Sequence, residues 1–229
     1  KMFVGIQDSP ISEYDPQRKQ KEAELAQSKA LFQNFARAAK QDPEQLRAAL
    51  LNPDKKISGP AEQRLKQALA GQMEKAAGGQ EFKQARAEYE QAVVSFEKNH
   101  NSVVVAAENS GDISRAGKSA DFYDNILSTP QTTTVGAVSA DGKQIESYSN
   151  PSKNVTIYAR GQSPKAIDPG TSFAAPRAAA ALAKAHAMNQ QMTSEEAEQL
   201  VMSQLTTNVP GSQARELDPA KTGAYFSQQ

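Results

Sequence analysis

An α/β domain built on a parallel sheet, preceded in the chain by a long all-helical stretch, is the fold class this sequence predicts. Two observations carry that expectation. Beyond residue 101, runs of β-branched residues alternate with helical patterns, as in a sheet covered by helices on its faces. Before it, residues 15–98 are rich in Ala, Gln, Glu and Lys and carry apolar residues only at helical spacing.

Residues 1–6, Lys-Met-Phe-Val-Gly-Ile, read as a buried strand and run into the polar stretch Gln7-Asp8-Ser9-Pro10. A chain that opens on a core strand leads to the expectation that another segment precedes it. Asp15-Pro16 then supplies a helix start, with the stripe Leu25, Phe32, Phe35 and Ala39 continuing to about residue 40. Asp42-Pro43-Glu44 repeats the signal for a short helix carrying Leu46 and Leu50, ended by Asn52-Pro53. A third helix opens near Pro60, lines up Leu65, Leu69 and Met73, and stops at Gly78-Gly79. The fourth, about residues 80–98, is expected to bury Phe82, Tyr89, Val93 and Phe96. These stripes are narrow and read as packing faces.

Three strands follow. Residues 102–107, 132–138 and 154–159 are short β-branched runs of the kind found in the middle of a parallel sheet. An Ala-rich helix is predicted from Thr171 to about Asn189. The string Thr193-Ser194-Glu195-Glu196 is a capping box opening a last helix to about Leu205.

Composition removes several classes of function. The 26 basic and 26 acidic residues cancel, so the uncompensated positive surface that nucleic acid requires is missing. With no cysteine, disulfides, thiolate nucleophiles and Cys-ligated zinc are excluded together. No apolar run approaches the ~20 residues of a membrane span, and residues 1–6 are too short for a signal-peptide core.

Chemistry concentrates at Gly170-Thr171-Ser172-Phe173-Ala174-Ala175-Pro176, where a serine follows a glycine turn at the mouth of a helix of small residues. The positive end of a helix favours negative charge developing there, although a serine in this position also serves as an ordinary cap. The string resembles the nucleophile motif of the subtilisin-like serine proteases over seven consecutive residues. Other segments match the family in the same order. Residues 103–111, Val-Val-Val-Ala-Ala-Glu-Asn-Ser-Gly, look like the strand that ends in the oxyanion asparagine. Thr134-Val135-Gly136-Ala137-Val138 resembles the next core strand. Tyr148-Ser149-Asn150 with residues 155–161 looks like the approach to the nucleophile, and Leu217-Asp218-Pro219-Ala220 like the closing segment. The likeness covers about residues 93–229, with a faint echo in residues 3–6.

The resemblance implies a three-layer α/β domain of subtilisin type that hydrolyses peptide bonds. Ser172 would be the nucleophile and the Asn109 side chain an oxyanion donor beside the Ser172 backbone N–H. The substrate peptide would lie along the strand at Val105, Ala106, Ala107 and Glu108. On this reading residues 1–14 supply a core strand and loop, 15–92 a helical insertion, and 93–229 the nucleophile and oxyanion part. Glu108 stands where the family usually has glycine; it would favour basic side chains, obstruct the pocket, or point to solvent. Calcium accompanies many members, but no run of acidic ligands at the required spacing is present here. The same resemblance leads to the expectation of a secreted or periplasmic protein.

The family's order of aspartate, histidine, then serine places both partners of Ser172 upstream of the strand that residues 3–6 resemble. His186 lies fourteen residues beyond Ser172 on one predicted helix, roughly 21 Å along its axis. His100 precedes a core strand at its far end, and both histidines read as surface residues. Asp168 is near Ser172 in sequence but orients nothing without a histidine. Arg160, Arg177, Ala178 and Ala180 also depart from the family's usual residues. Two readings result. One is a working protease whose histidine and aspartate lie on an N-terminal fragment of the same protein. The other is a non-catalytic relative whose helical insertion binds a partner. A purely helical adaptor is a third, disfavoured by the narrow stripes.

Overall fold

The computed structural model describes residues 12, 14–51, 57–116, 127–152, 154–162 and 168–228. The strand expected at residues 1–6 and the stop at Asn52-Pro53 lie outside them. The chain divides between Lys75 and Ala76 into two compact units.

The first unit holds three helices: α1 (Arg18–Ala38), α2 (Pro43–Leu51) and most of α3 (Pro60–Ala77). Asp15 does not cap α1 at its first turn as expected. Its carboxylate takes the Gln17 N–H at 2.8 Å and the Lys21 ammonium at 2.6 Å, and Gln17 becomes the cap residue. α1 ends in a left-handed Lys40 (φ 52°), with the Lys40 N–H reaching Arg37 O and the Gln41 N–H reaching Ala36 O. That pair of bonds satisfies carbonyls which the helix end would otherwise orphan. The chain reverses, Asp42 caps α2 through the Gln45 N–H at 2.9 Å, and Pro43 occupies the first helical position. Phe32, Phe35, Ala36 and Leu46 are buried together, with Ile57, Leu65, Ala68 and Leu69 against them. Leu50 of the expected stripe has a side chain outside the described set.

In the second unit, α4 (Gln80–Glu97) precedes β1 (Val104–Ala106), α5 (Gly111–Ala116), β2 (Thr133–Val138) and β3 (Val155–Arg160). Then come α6 (Thr171–Met188), α7 (Ser194–Gln204), β4 (Thr206–Asn208), β5 (Arg215–Leu217) and α8 (Pro219–Ser227). The five strands form one sheet in the order β1-β2-β3-β5-β4, parallel throughout except for β4 against β5. The fold is thus mixed α/β with a largely parallel sheet flanked by helices. Every residue of β2 is buried, as in a strand covered on both faces within a parallel sheet.

α6 lies on the sheet through Ala174, Ala178, Ala181, Leu182 and Ala185, all buried in the main core with Val135, Ile157 and Leu217. Small side chains permit this close approach of helix to strands. Pro176 sits inside α6, where it removes the donor that would have bonded the Ser172 carbonyl. α7 shows the predicted capping box, with Thr193 Oγ1 accepting from the Glu196 N–H and the Glu196 carboxylate accepting from the Thr193 N–H.

α4 is fixed to the segment before β2: Tyr89 donates to the Leu127 carbonyl at 3.0 Å and Arg86 to that of Ser128. Of its expected buried set only Val93 is fully enclosed. Phe96, in the last turn of α4, is 49 % exposed, a correction to the expected stripe, which faces the domain at Val93 and turns Phe96 to solvent. No helix among the described residues is long and apolar enough to cross a membrane.

Candidate functional site

Strands of a parallel sheet deliver their C-terminal ends to one edge, and ligand sites form there. β1 makes its last ladder bond through the Ala107 N–H to Val135 O at 2.9 Å, and the chain then turns. The turn is made at Glu108, in the left-handed region at φ 71°, and is held where the Asn150 N–H meets Glu108 O at 3.3 Å. Asn109 follows directly. β3 ends beside it, and the returning chain is tied where the Gly170 N–H donates to Gly161 O at 2.9 Å. α6 then starts, with Gly170 extended as its cap residue.

Two donors on Thr171 converge on one atom of Asn109. The Thr171 N–H reaches Oδ1 at 2.8 Å and the Thr171 hydroxyl reaches it at 3.0 Å. A backbone N–H only donates, so this contact fixes which end of the carboxamide is oxygen. Nδ2 therefore faces the other way, with no acceptor among the described residues. A Cβ at Gly170 would stand 2.9 Å from Asn109 Nδ2 and 3.1 Å from Ser172 Oγ, so the amide and the hydroxyl flank one small space that only glycine leaves open. The Ser172 N–H also lacks an intrachain acceptor among the described residues. The exposed hydroxyl and the Asn109 amide thus flank one space at the positive end of an 18-residue helix, to whose first turn the Ser172 N–H also belongs.

Thr171 is buried and Ser172 exposed, so the side chain that holds Asn109 is enclosed while the serine hydroxyl is accessible. Sequence reasoning quoted Thr171 within its motif without seeing that it locks the asparagine. Among the expected substrate-strand residues, Val105 and Ala107 are buried in the core and Ala106 is half-buried, so the first two present only backbone at this edge. Glu108 is exposed as a residue, yet enough protein surrounds its carboxyl that desolvation raises its pKa above the usual carboxylate range.

A buried neighbour was not foreseen. The Tyr148 ring packs against the main core, and its hydroxyl fills the space that a Gly161 side chain would take. That hydroxyl is buried without a hydrogen-bond partner, and its pKa is pushed up to about 12, first by desolvation and then by the Glu146 charge. Arg177 donates to Gln162 O at 3.2 Å, so the arginine after Pro176 buttresses the strand-to-helix connection. Arg160 pairs with the buried Glu216 across β3 and β5 at 3.3 Å. A buried carboxylate needs such a partner, which accounts for arginine at this position.

Neither histidine is at Ser172. His100 is exposed, at φ 59°, beyond the end of α4. His186 occupies the last turn of α6, and the expectation of a surface residue fails for it: it is half-buried, with Nε2 2.9 Å from Ser102 Oγ. Ser194 Oγ lies 3.0 Å from Ser102 Oγ and 3.1 Å from the Glu97 carboxylate, completing a chain of four groups. Asp168 is exposed. Among the described residues no three acidic or histidine side chains gather to hold a metal ion.

The model of the Subtilase family matches residues 66–218. No curated protein matches the chain.

Proposed function

Because the chain belongs to the Subtilase family, we propose that it is the nucleophile-bearing part of a subtilisin-type serine endopeptidase. Ser172 Oγ attacks the scissile carbonyl, and the carbonyl oxygen gains negative charge as the tetrahedral intermediate forms. Asn109 Nδ2 and the Ser172 N–H receive that charge. The observation that carries this reading is the pair of free donors and the free hydroxyl around Gly170, oriented by Thr171. Donors fixed before the reaction cost no reorganisation when charge develops, and one such donor is worth about 3–4 kcal/mol.

A serine hydroxyl needs a base to take its proton. Since His186 is engaged by Ser102 at the other end of α6 and His100 lies before β1, the base is a histidine outside these residues, oriented by an aspartate. An N-terminal fragment of the same protein is the proposed carrier. Residues 15–92 are proposed as a helical insertion into the protease fold, and secretion to the periplasm or beyond as the setting. The placement of both histidines away from Ser172 also supports a second reading, a non-catalytic relative whose helices bind a partner.

Intact-mass measurement after treatment with a fluorophosphonate separates the two. Labelling at Ser172, together with a co-purifying fragment bearing histidine and aspartate, is the expected result. Ser172→Ala must abolish the label, while Ser102→Ala must leave it, because Ser102 beside His186 is the other serine–histidine contact. An unlabelled chain purified without a second fragment would overturn the protease reading and leave the non-catalytic one.

A further inference from the structure

We propose that Asn150 is a positioning residue for Asn109: it grips the chain on both sides of Asn109, at Glu108 and at Ser110, and so sets where the Asn109 amide points. The inference rests on the reading of Asn109 and Ser172 as oxyanion donor and nucleophile, and adds to that site a residue that touches neither substrate nor Ser172.

Asn109 is exposed, so packing does not hold it. A donor for developing charge must nevertheless be fixed before the charge appears. Thr171 fixes the oxygen end of the carboxamide, but the backbone that carries it needs a hold of its own. Asn150 supplies one. Its N–H donates to Glu108 O at 3.3 Å, and its Oδ1 accepts the Ser110 hydroxyl at 3.0 Å. The residues before and after Asn109 are thereby tied to a single residue that is only 2 % exposed.

The anchor is itself fixed. Buried Ser149 accepts the Ala137 N–H of β2 on its Oγ at 3.1 Å, and Tyr148 O accepts the Gly111 N–H at 2.9 Å. A side chain at Gly111 would collide with the Ser147 and Ser149 carbonyl oxygens, so residues 147–150 lie directly against the turn that carries Asn109. The hold also falls where the chain most needs it. Lys40 and His100 take the left-handed conformation just beyond helix ends, where it is common. Glu108, at φ 71°, follows a strand, and a non-glycine residue keeps that conformation only where its surroundings enforce it. The bond from the Asn150 N–H to Glu108 O is such a restraint.

The test reads the rate at which a fluorophosphonate labels Ser172, by intact mass, in the purified protein with any fragment that accompanies it. Asn150→Ala removes the side-chain half of the hold from the buried side, and Ser110→Ala removes the same bond from the half-buried one. Each should slow labelling about tenfold, and the pair together no more than either alone. Ser110→Thr keeps the hydroxyl and should label at nearly the natural rate. Urea midpoints show that each variant is folded; should Asn150→Ala fail there, Ser110→Ala decides. The deciding comparison is made in Asn109→Ala, which has no amide left to position. In that background Ser110→Ala should slow labelling by less than about twofold. A loss of about tenfold in both backgrounds would mean that the bond supports the fold rather than Asn109, and overturns the proposal. Unchanged labelling in the single variants would overturn it as well and leave the protease reading standing. A natural chain that takes no label overturns the protease reading, and the inference falls with it.

Discussion

Thr171 shows how much one side chain decides at the candidate site. Its N–H and hydroxyl both end on Asn109 Oδ1, so the donating half of the carboxamide is left facing Ser172. On the proposed protease reading, Asn109→Ala should lower kcat about 10²–10³-fold with little change in KM, measured with any fragment that supplies the base present. Thr171→Val keeps the shape and loses one of two bonds, so its effect should be smaller, about tenfold, while Thr171→Ser restores activity. Steady-state kinetics on the three variants checks this; equal losses for valine and serine would mean that the hydroxyl does not act by orienting Asn109. Glu108 carries a stability consequence as well. Glycine relieves its left-handed backbone, so Glu108→Gly should raise stability by about 1–2 kcal/mol, read from the urea midpoint.

At the scale of elements, α6 does two jobs at once. Its first turn presents Ser172, and its buried face fills the core beneath the sheet. Leu182 is the largest side chain it buries, and Leu182→Ala should cost about 2–5 kcal/mol. Its last turn carries His186 into a hydrogen-bonded chain with Ser102, Ser194 and Glu97, which links α6 to the starts of β1 and α7 and the end of α4. Ser194 Oγ is the donor toward both Ser102 Oγ and the Glu97 carboxylate, so its single proton serves one of the two at a time.

At the scale of the molecule, the acids with displaced pKa values among the described residues fall into two groups with opposite effects on stability. Glu97, Glu108 and Glu198 have pKa values raised, each chiefly by desolvation; Glu198 accepts the Thr133 hydroxyl at 2.6 Å, which opposes the shift without cancelling it. A raised carboxyl favours the fold while protonated, so this contribution is present below pH 4.5 and lost as pH rises through the folded pKa. Asp15, Asp141 and Glu196 are lowered by their hydrogen bonds, so theirs is present above the unfolded values and lost on acidification through the folded ones. Glu198→Gln keeps an acceptor for Thr133 and removes the charge. It should therefore gain stability relative to the natural chain as pH rises from about 4.5 to 7, measured by urea midpoints along that range. A difference that is flat in pH would place the cause elsewhere.

Helix boundaries near Pro43, Pro60 and Gly79, the cap at Thr193 and the burial of β2 were legible along the chain, because caps and burial on both faces write themselves into neighbouring residues. Ser172 stood out through a string whose glycine and small helix residues are demanded by close backbone approach, and Asn109 through the resemblance of the separate segment 103–111. The short strands β4 and β5 were not legible. Each has three residues, too few for a period to show, and they pair only because α7 returns the chain to the sheet edge. The lock of Thr171 on Asn109, the unpartnered Tyr148 hydroxyl, the Arg160–Glu216 pair and the engagement of His186 all join residues distant in the chain. They exist only once the chain has folded. Local order is set by neighbours along the backbone, whereas the contacts that orient a side chain are set by whichever strands and helices the fold brings to it.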